Sequence, residues 1–211
     1  MESAFYRSRL PHIVPPYATF FITFRLAGSL PASIVYSLKA KYEKLTNDRD
    51  GENQEEKELR LSKLRKSYFK EFDDQLDKKG SGPTYLNNSE IAACIKNELE
   101  KYNGDYYDLQ AYCIMPNHVH LLLDTSIQEY SLASPIRLDK ILKRLKGSSA
   151  IKANRLLERT GSFWQKESYD HLVRNQTEWH RIYGYILNNP YKAGLVENFS
   201  NWPYLFGCNE S

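Results

Sequence analysis

The chain has 211 residues, of which 41% are apolar and 26% charged, and its formal net charge is +3. This length and apolar content suffice for one domain with a sizeable core, whereas so small a net charge does not by itself indicate nucleic-acid binding. The sequence has neither the run of about 20 apolar residues that a transmembrane helix needs nor an apolar signal core, so we expect a cytoplasmic protein.

The first part of the chain predicts a strand followed by helices. Residues 19–26 alternate between two faces, one of them fully apolar, which predicts a strand. Residues 31–45 look helical. Residues 47–80 mix many charges of both signs with an apolar stripe at helical spacing, which predicts a solvated helix. We interpret this stretch as a charged helical insertion in a single domain that spans residues 1–211.

The second part of the chain predicts alternating helices and strands. In chain order these are a helix that begins at Ser89, two strands joined by Pro116 and Asn117, a basic helical region over 135–159, a short strand over 169–174 and a helix after Asn175. The basic region could break at residues 147–149. The order fits an α+β fold, a ferredoxin-like sandwich with a central antiparallel sheet and an extra C-terminal helix.

Two histidines stand two residues apart at the start of an apolar strand. His118 and His120 project from the same face, because successive side chains on a strand point to opposite faces. A random pair at this spacing is more often the polar edge of a hairpin, but here the apolar run continues directly out of it. Two neighbouring imidazoles can share one divalent ion, so the pair predicts a metal site that needs a further ligand.

The last predicted helix carries polar side chains on one face. Arg181, Tyr185 and Asn189 recur every four residues and therefore lie together, away from the apolar stripe. Asn189 precedes Pro190, which disfavours helical geometry, so we expect its amide at a frayed helix end where its oxygen can ligate a metal. Two imidazoles and an amide oxygen suit Mg²⁺ or Mn²⁺. Taken alone, Tyr185 would more often be a half-buried packing residue.

Several stretches of the chain resemble a known family when taken together. They cover residues 21–26, 112–120, 163–171 and 185–196. In this order they resemble the REP-associated tyrosine transposases of the IS200/IS605-like superfamily, which are single-tyrosine HUH nucleases. The charged stretch over 47–80 is the part least covered by the resemblance.

The resemblance implies metal-dependent cleavage and rejoining of hairpin-forming single-stranded DNA. Tyr185 would be the catalytic nucleophile and would form a 5′-phosphotyrosine intermediate. His118, His120 and Asn189 would hold the Mg²⁺ or Mn²⁺ ion.

Two further tyrosines are rivals for the role of nucleophile. Tyr183 lies on nearly the opposite face of the helix from Tyr185, and Tyr169 lies on the preceding strand. A phenol with a pKa near 10 needs activation, and the metal, Arg181 or water are the alternatives for this role.

Contacts to nucleic acid are expected mainly on the basic helical region, since positive side chains there outnumber negative ones. The predicted nucleic-acid-binding residues are Arg25, Lys143, Arg144, Lys146, Lys152, Arg155, Trp164, Gln165, Arg174 and Arg181. For any single lysine, a solvated helix face is the alternative. Trp164 could equally well be a core residue.

The expected partner is single-stranded or hairpin DNA with a palindromic repeat, which would make the protein nucleoid-associated, and a homodimer is compatible with the sequence. The main alternative is a domesticated repeat- or hairpin-binding protein with a regulatory role and little or no catalysis. An unrelated metal-binding structural protein is a remote third hypothesis.

Overall fold

The computed structural model of the protein describes residues 4–8, 10–47, 51–78 and 82–208. The chain divides into two compact units, one drawn from residues 1–27 and 84–211 and the other from residues 28–83. In the part of the chain that the structure describes, no helix has the length and apolar character needed to cross a membrane.

The elements follow one another along the chain as mixed helices and strands. The strands are β1 (Ala4–Ser8), β2 (Leu10–Val14), β3 (Thr19–Arg25), β4 (Asp108–Ile114), β5 (His118–Asp124), β6 (Tyr169–Leu172) and β7 (Leu205–Gly207). The helices are α1 (Ala32–Thr46), α2 (Gln54–Leu76), α3 (Ser89–Glu100), α4 (Gln128–Ser131), α5 (Leu138–Leu156) and α6 (Gln176–Lys192).

The first unit is built on an antiparallel sheet with the strand order β6-β3-β5-β4-β7. Strands β3 to β6 with helices α3 and α5 form the βαββαβ order of the predicted ferredoxin-like sandwich, and the α+β class is confirmed. Strand β7 extends the sheet beyond β4, and β1 pairs with β2 in a separate hairpin. Neither β7 nor this hairpin was predicted, since such short strands carry little periodic signal.

The two faces of the sheet carry different helices. Phe20, Ile22 and Phe24 of β3 belong to the main core, which includes buried side chains of α3 and α5. Phe21 on the opposite face contacts Tyr185 of α6, with ring centroids 5.9 Å apart. The alternation predicted for β3 therefore separates a core face from a face that meets the C-terminal helix.

Helix α5 is continuous over Leu138–Leu156, so the predicted break at residues 147–149 does not occur. The Ser149 hydroxyl donates to the carbonyl of Leu145 at 2.6 Å, and the Ser148 hydroxyl donates to the carbonyl of Arg144 at 2.9 Å. These bonds satisfy the two hydroxyl groups within the helix, so the serines need no turn to find partners.

Helix α6 begins as predicted and ends later than predicted. Its N-cap is Asn175, whose side chain accepts a hydrogen bond from the Glu178 amide at 2.9 Å. The expected fraying before Pro190 is wrong, because the helix runs through this proline to Lys192. Proline removes one hydrogen bond from the helix, but the Ala193 amide still donates to the Asn189 carbonyl at 2.9 Å and closes the last turn.

The second unit is a pair of helices, α1 and α2. Tyr42 and Tyr68 pack between them with ring centroids 5.0 Å apart, and Lys41 pairs with Glu71 at 2.7 Å. Helix α2 forms the helix predicted for the charge-dense stretch. Residues 48–50, 79 and 80 of that stretch lie outside the described residues.

Candidate active site

The two histidines of β5 lie side by side inside the protein. The Nε2 atom of His118 is 3.0 Å from the Nε2 atom of His120, and the ring centroids are 4.6 Å apart. Both side chains are buried, with exposed fractions of 1% and 0%. The alternating geometry of the strand therefore brings two ring nitrogens to one point, as predicted from their spacing.

A polar neighbour holds the other nitrogen of each ring. His118 Nδ1 is 2.6 Å from the side-chain oxygen of Asn117, and His120 Nδ1 is 2.8 Å from the hydroxyl of Thr23. Thr23 lies directly opposite His120 in the pairing of β3 with β5. Because an amide oxygen only accepts, the Nδ1 of His118 carries the hydrogen and its Nε2 keeps a lone pair.

Helix α6 brings a tyrosine to this pair. The ring of Tyr185 meets the ring of His120 edge to face, with centroids 5.4 Å apart. Phe21 contacts both rings and so helps to fix their positions. The predicted nucleophile and one predicted metal ligand are thus in contact, although 65 residues separate them in the chain.

Asn189 lies one helical turn after Tyr185. Its side chain is fully buried, and neither its amide nitrogen nor its amide oxygen has a hydrogen-bond partner among the described residues. A buried polar group without a partner costs roughly 1–3 kcal/mol, so most proteins avoid it. Such a group, one turn from the tyrosine that contacts His120, indicates a place for a ligand that supplies the missing partner.

These donors fit a divalent metal ion. Two ligands at right angles on an octahedral ion, each bonded at about 2.1 Å, would lie about 3.0 Å apart. The two Nε2 atoms have this separation, and hydrogen bonds orient their rings as is usual for metal-bound histidine. His118 and His120 would hold the ion, and the oxygen of Asn189 would be a third ligand.

The rival tyrosines are placed differently. The hydroxyl of Tyr183 donates to the backbone carbonyl of Cys208 at 2.5 Å, on the side of α6 that meets β7. Tyr169 meets the edge of Phe21, with ring centroids 6.1 Å apart. The ring of Tyr185, in comparison, contacts the ring of His120 directly.

Comparison with known proteins identifies the family of this chain. Residues 84–189, half of the chain, match the family model described as Transposase IS200 like. A protein of Haemophilus influenzae named as a REP-associated tyrosine transposase is 30% identical over 123 residues, which cover 57% of this chain and 67% of that protein. The chain belongs to the IS200-like transposase family. The matched region contains both histidines, Tyr185 and Asn189.

Two further proteins are similar to this IS200-like chain. The REP-associated tyrosine transposase of Escherichia coli strain K12 is 24% identical over 98 residues, which cover 46% of this chain and 53% of that protein. A solved structure described as a REP-associated tyrosine transposase bound to a REP hairpin has a TM-score of 0.54 at 15% identity, over 94% of this chain and 82% of that one. At this identity the likeness establishes the fold alone.

The basic residues predicted to bind nucleic acid fall into different environments in this family member. Lys143 and Arg155 are exposed on α5. Arg144 is also exposed, and its guanidinium donates to the hydroxyl of Tyr106 at 2.8 Å. Lys152 forms an ion pair with the buried carboxylate of Glu98.

The half-buried side chain of Lys146 is bound by a neighbouring segment of the protein. Its ammonium donates to two backbone carbonyl groups and one hydroxyl within residues 165–168, at 2.8–3.0 Å. Burial and, to a smaller extent, the charge of Arg25 lower the pKa of Lys146 to about 8, and the charge of Glu167 opposes this change. The ammonium therefore orders the segment that includes Gln165, the neighbouring predicted contact.

The prediction that Trp164 stacks on a base is corrected by its position. The side chain is 6% exposed and belongs to the main core. Its ring lies 4.8 Å from Phe24 and 4.8 Å from Phe163, and its indole N–H donates to the Ser149 hydroxyl at 2.9 Å. This packing and the polar partner leave no ring face for a nucleic-acid base, so the core alternative is the correct one.

The remaining residues predicted to bind nucleic acid lie on or near α6 and at the end of β3. Arg25 is buried and lies opposite His118 in the strand pairing. Arg181 is exposed and contacts the Glu178 carboxylate at 3.3 Å. Arg174 is exposed near the start of α6.

Sequence reasoning missed three residues of the site. Thr23 and Asn117 orient the histidines, and the ammonium of Lys192 lies 5.6 Å from the ring centroid of Tyr185. Lys192 could have been found from its spacing of seven residues from Tyr185, but the expected end of the helix at Asn189 hid it. Thr23 was not identifiable without the register of β3 with β5.

Proposed function

We propose that this protein cleaves and rejoins hairpin-forming single-stranded DNA through a covalent link between Tyr185 and a 5′-phosphate. The observation that carries the proposal is the contact of the Tyr185 ring with His120, whose Nε2 atom faces that of His118. Membership of the IS200-like transposase family makes DNA strand transfer the expected class of reaction. A metal ion held by both histidines and Asn189 would supply Lewis-acid polarisation of a phosphate.

The cleavage step is a transesterification at phosphorus. The phenol oxygen of Tyr185 forms a bond to phosphorus, and the bond between phosphorus and the 3′ oxygen breaks. The phenolic proton leaves to solvent and the 3′ oxygen takes up a proton. Because the phosphotyrosine ester keeps the energy of the original diester, attack by a 3′ hydroxyl on the link reverses the step and joins strands.

The protein environment supports this use of Tyr185. Phe21 packs against the rings of Tyr185 and His120 and so limits the movement of the nucleophile.

We propose that the substrate is a palindromic repeat. One relative of known structure is described as bound to a REP hairpin, and two relatives are named as REP-associated. Exposed basic residues of α5, which include Lys143 and Arg155, would contact the phosphate backbone. A protein that acts on chromosomal repeats would work at the nucleoid.

A covalent-adduct assay tests the proposal. Purified protein is mixed with Mn²⁺ or Mg²⁺ and with a 3′-end-labelled oligonucleotide that carries a palindromic, hairpin-forming repeat. We expect a labelled protein adduct in denaturing gels and its loss in Tyr185→Phe, because phenylalanine has no oxygen to attack phosphorus. Binding of the hairpin without an adduct in either metal would favour the non-catalytic repeat-binding alternative.

Two matched variants control the assay. Tyr191→Phe removes a hydroxyl from an exposed tyrosine of the same helix and should keep the adduct. Tyr183→Phe removes the hydroxyl that donates to the Cys208 carbonyl and should also keep it. An adduct lost in Tyr183→Phe but kept in Tyr185→Phe would assign the nucleophile to Tyr183.

A further inference from the structure

We propose that Lys192 binds the phosphate that Tyr185 attacks. Its ammonium stabilises the negative charge of this phosphate during the attack and in the phosphotyrosine link that follows. This inference rests on the proposed function and adds a phosphate-contacting residue to the site. Its starting observation is the position of the Lys192 ammonium, 5.6 Å from the ring centroid of Tyr185. A cation within about 6 Å of an aromatic ring face is attracted by the ring, so the contact favours this position.

The geometry of α6 explains why this lysine reaches the tyrosine. Residues seven apart on an α-helix are separated by about two full turns and so lie on the same face. Tyr185, Asn189 and Lys192 share one face only because α6 continues through Pro190 to Lys192. If the helix ended at Asn189, Lys192 would not lie on this face.

Charge and reach suit Lys192 for a phosphate. Its side chain is exposed, and a flexible four-carbon stem carries an ammonium with three donors. The reacting phosphate becomes bonded to the oxygen of the ring over which this ammonium lies, and it remains a charged diester in the link. Lys192 therefore places a positive charge over the ring of Tyr185.

A structural role is the alternative for this lysine. Lys192 lies in the last turn of α6, where a cation stabilises the helix dipole by about 0.3–1 kcal/mol. If Lys192 had this role alone, its substitution would lower the melting temperature of the protein. Any effect of the substitution on DNA binding would then not depend on a phosphate at the cleavage position. The experiment must therefore separate helix stability from recognition of that phosphate.

Binding measured in the Tyr185→Phe background provides this separation, because no chemistry occurs. The cleavage position is first mapped with the wild-type protein. Two hairpin oligonucleotides are then compared, one with the native phosphate and one with a neutral methylphosphonate at that position. We expect Lys192→Met to weaken binding of the phosphate probe about 10-fold and to leave binding of the methylphosphonate probe unchanged.

Adduct formation provides the second measurement. With Tyr185 intact, Lys192→Met should slow adduct formation about 10- to 100-fold, whereas Lys192→Arg keeps the charge and should retain most of the rate. Lys39→Met is the matched control, since Lys39 is a partly exposed helical lysine that pairs with Glu43 in α1. Lys192→Gln serves as the neutral variant if the methionine variant does not fold.

The outcomes separate this inference from the proposed function. Equal weakening of both probes, or an unchanged rate of adduct formation in the neutral variants, would overturn the role of Lys192 while leaving Tyr185 as the nucleophile. Absence of an adduct with the wild-type protein would overturn the proposed function, and the inference with it.

Discussion

At the scale of single residues, the unusual feature of the site is the side chain of Asn189. It is fully buried and has no hydrogen-bond partner for either of its polar atoms among the described residues. The histidines beside Tyr185, by contrast, have polar neighbours at both ring nitrogens. The metal-free protein therefore bears a desolvation cost at Asn189 that a ligand would relieve.

We predict that Asn189→Leu stabilises the metal-free protein. Leucine keeps the branched skeleton of four side-chain heavy atoms and removes two buried polar atoms without partners, so the free energy of unfolding should rise by about 1–3 kcal/mol. Mn²⁺ should raise the melting temperature of the wild-type protein more than that of the variant, because a metal that binds the folded state stabilises it. Denaturation in guanidinium with chelator and thermal unfolding with Mn²⁺ measure the two effects.

The neighbouring residue gives a matched control. Asn188 is exposed, and its amide donates to the carbonyl of Gly184 at 2.8 Å. Asn188→Leu should change the free energy of unfolding by less than about 0.5 kcal/mol and should keep the full response to Mn²⁺. A metal-free Asn189→Leu protein that is less stable than wild type would argue that the amide has partners and is not kept for a ligand.

At the scale of elements, the placement of Tyr185 depends on how α6 packs on the sheet. Strand β7 lies beneath α6, and a Cβ atom at Gly207 would stand 2.5 Å from the hydroxyl oxygen of Tyr183 and 3.1 Å from a methyl carbon of Leu187. A side chain at this position would therefore have to displace the ends of the Tyr183 and Leu187 side chains, or the helix that carries them. Gly184 in α6 itself has no atom within 4 Å of a Cβ built on it.

We predict opposite effects of the same substitution at these two glycines. Gly207→Ala should lower the free energy of unfolding by about 1–3 kcal/mol, because α6 must shift away from β7. Gly184→Ala should raise it by about 0.5–1 kcal/mol, because alanine restricts the unfolded chain and favours a helix. Thermal unfolding of both variants measures the difference. Equal stabilities would mean that α6 does not pack closely on β7.

At the scale of the whole molecule, the sheet of the first unit separates two surfaces. The histidines face α6, whereas α3 and α5 cover the opposite face of the sheet through the main core. The basic residues of α5 therefore do not share a face with the proposed chemistry. A hairpin substrate would have to contact α5 with one part and reach Tyr185 with another.

We predict that the α5 contacts are electrostatic and independent of sequence. The double variant Lys143→Gln/Arg155→Gln should bind hairpin DNA more weakly, and the slope of log affinity against log salt should fall by up to about 2, since each lost phosphate contact accounts for about one. Fluorescence anisotropy at several salt concentrations measures the slope. The same measurement on Lys39→Gln should reproduce the wild-type slope, and an unchanged slope in the double variant would place the DNA elsewhere.

The sequence predicted those features that depend on neighbours in the chain. Alternation in β3 and the spacing of His118 and His120 gave the correct faces, because side-chain direction in a strand follows from local geometry. The start of α6 was also correct, since Asn175 caps it through a contact three residues away.

Predictions that depend on contacts between distant parts of the chain were wrong or were not made. The local preference before Pro190 suggested a helix end, but the structure keeps Asn189 fully buried within a continuous α6. Trp164 could be assigned to the core only when its neighbours Phe24 and Ser149 were known. Their positions follow from strand pairing and helix packing, which sequence periodicity does not report.

By itself, then, the sequence determined the family, the α+β class and the kinds of residue available for the chemistry. Only the tertiary structure decided that His120 meets Tyr185, that Asn189 is buried without a partner among the described residues, and that Lys192 lies over the ring of Tyr185. The physical reason is that periodicity and capping act over a few residues, whereas the site forms where β3, β5 and α6 pack together from distant parts of the chain.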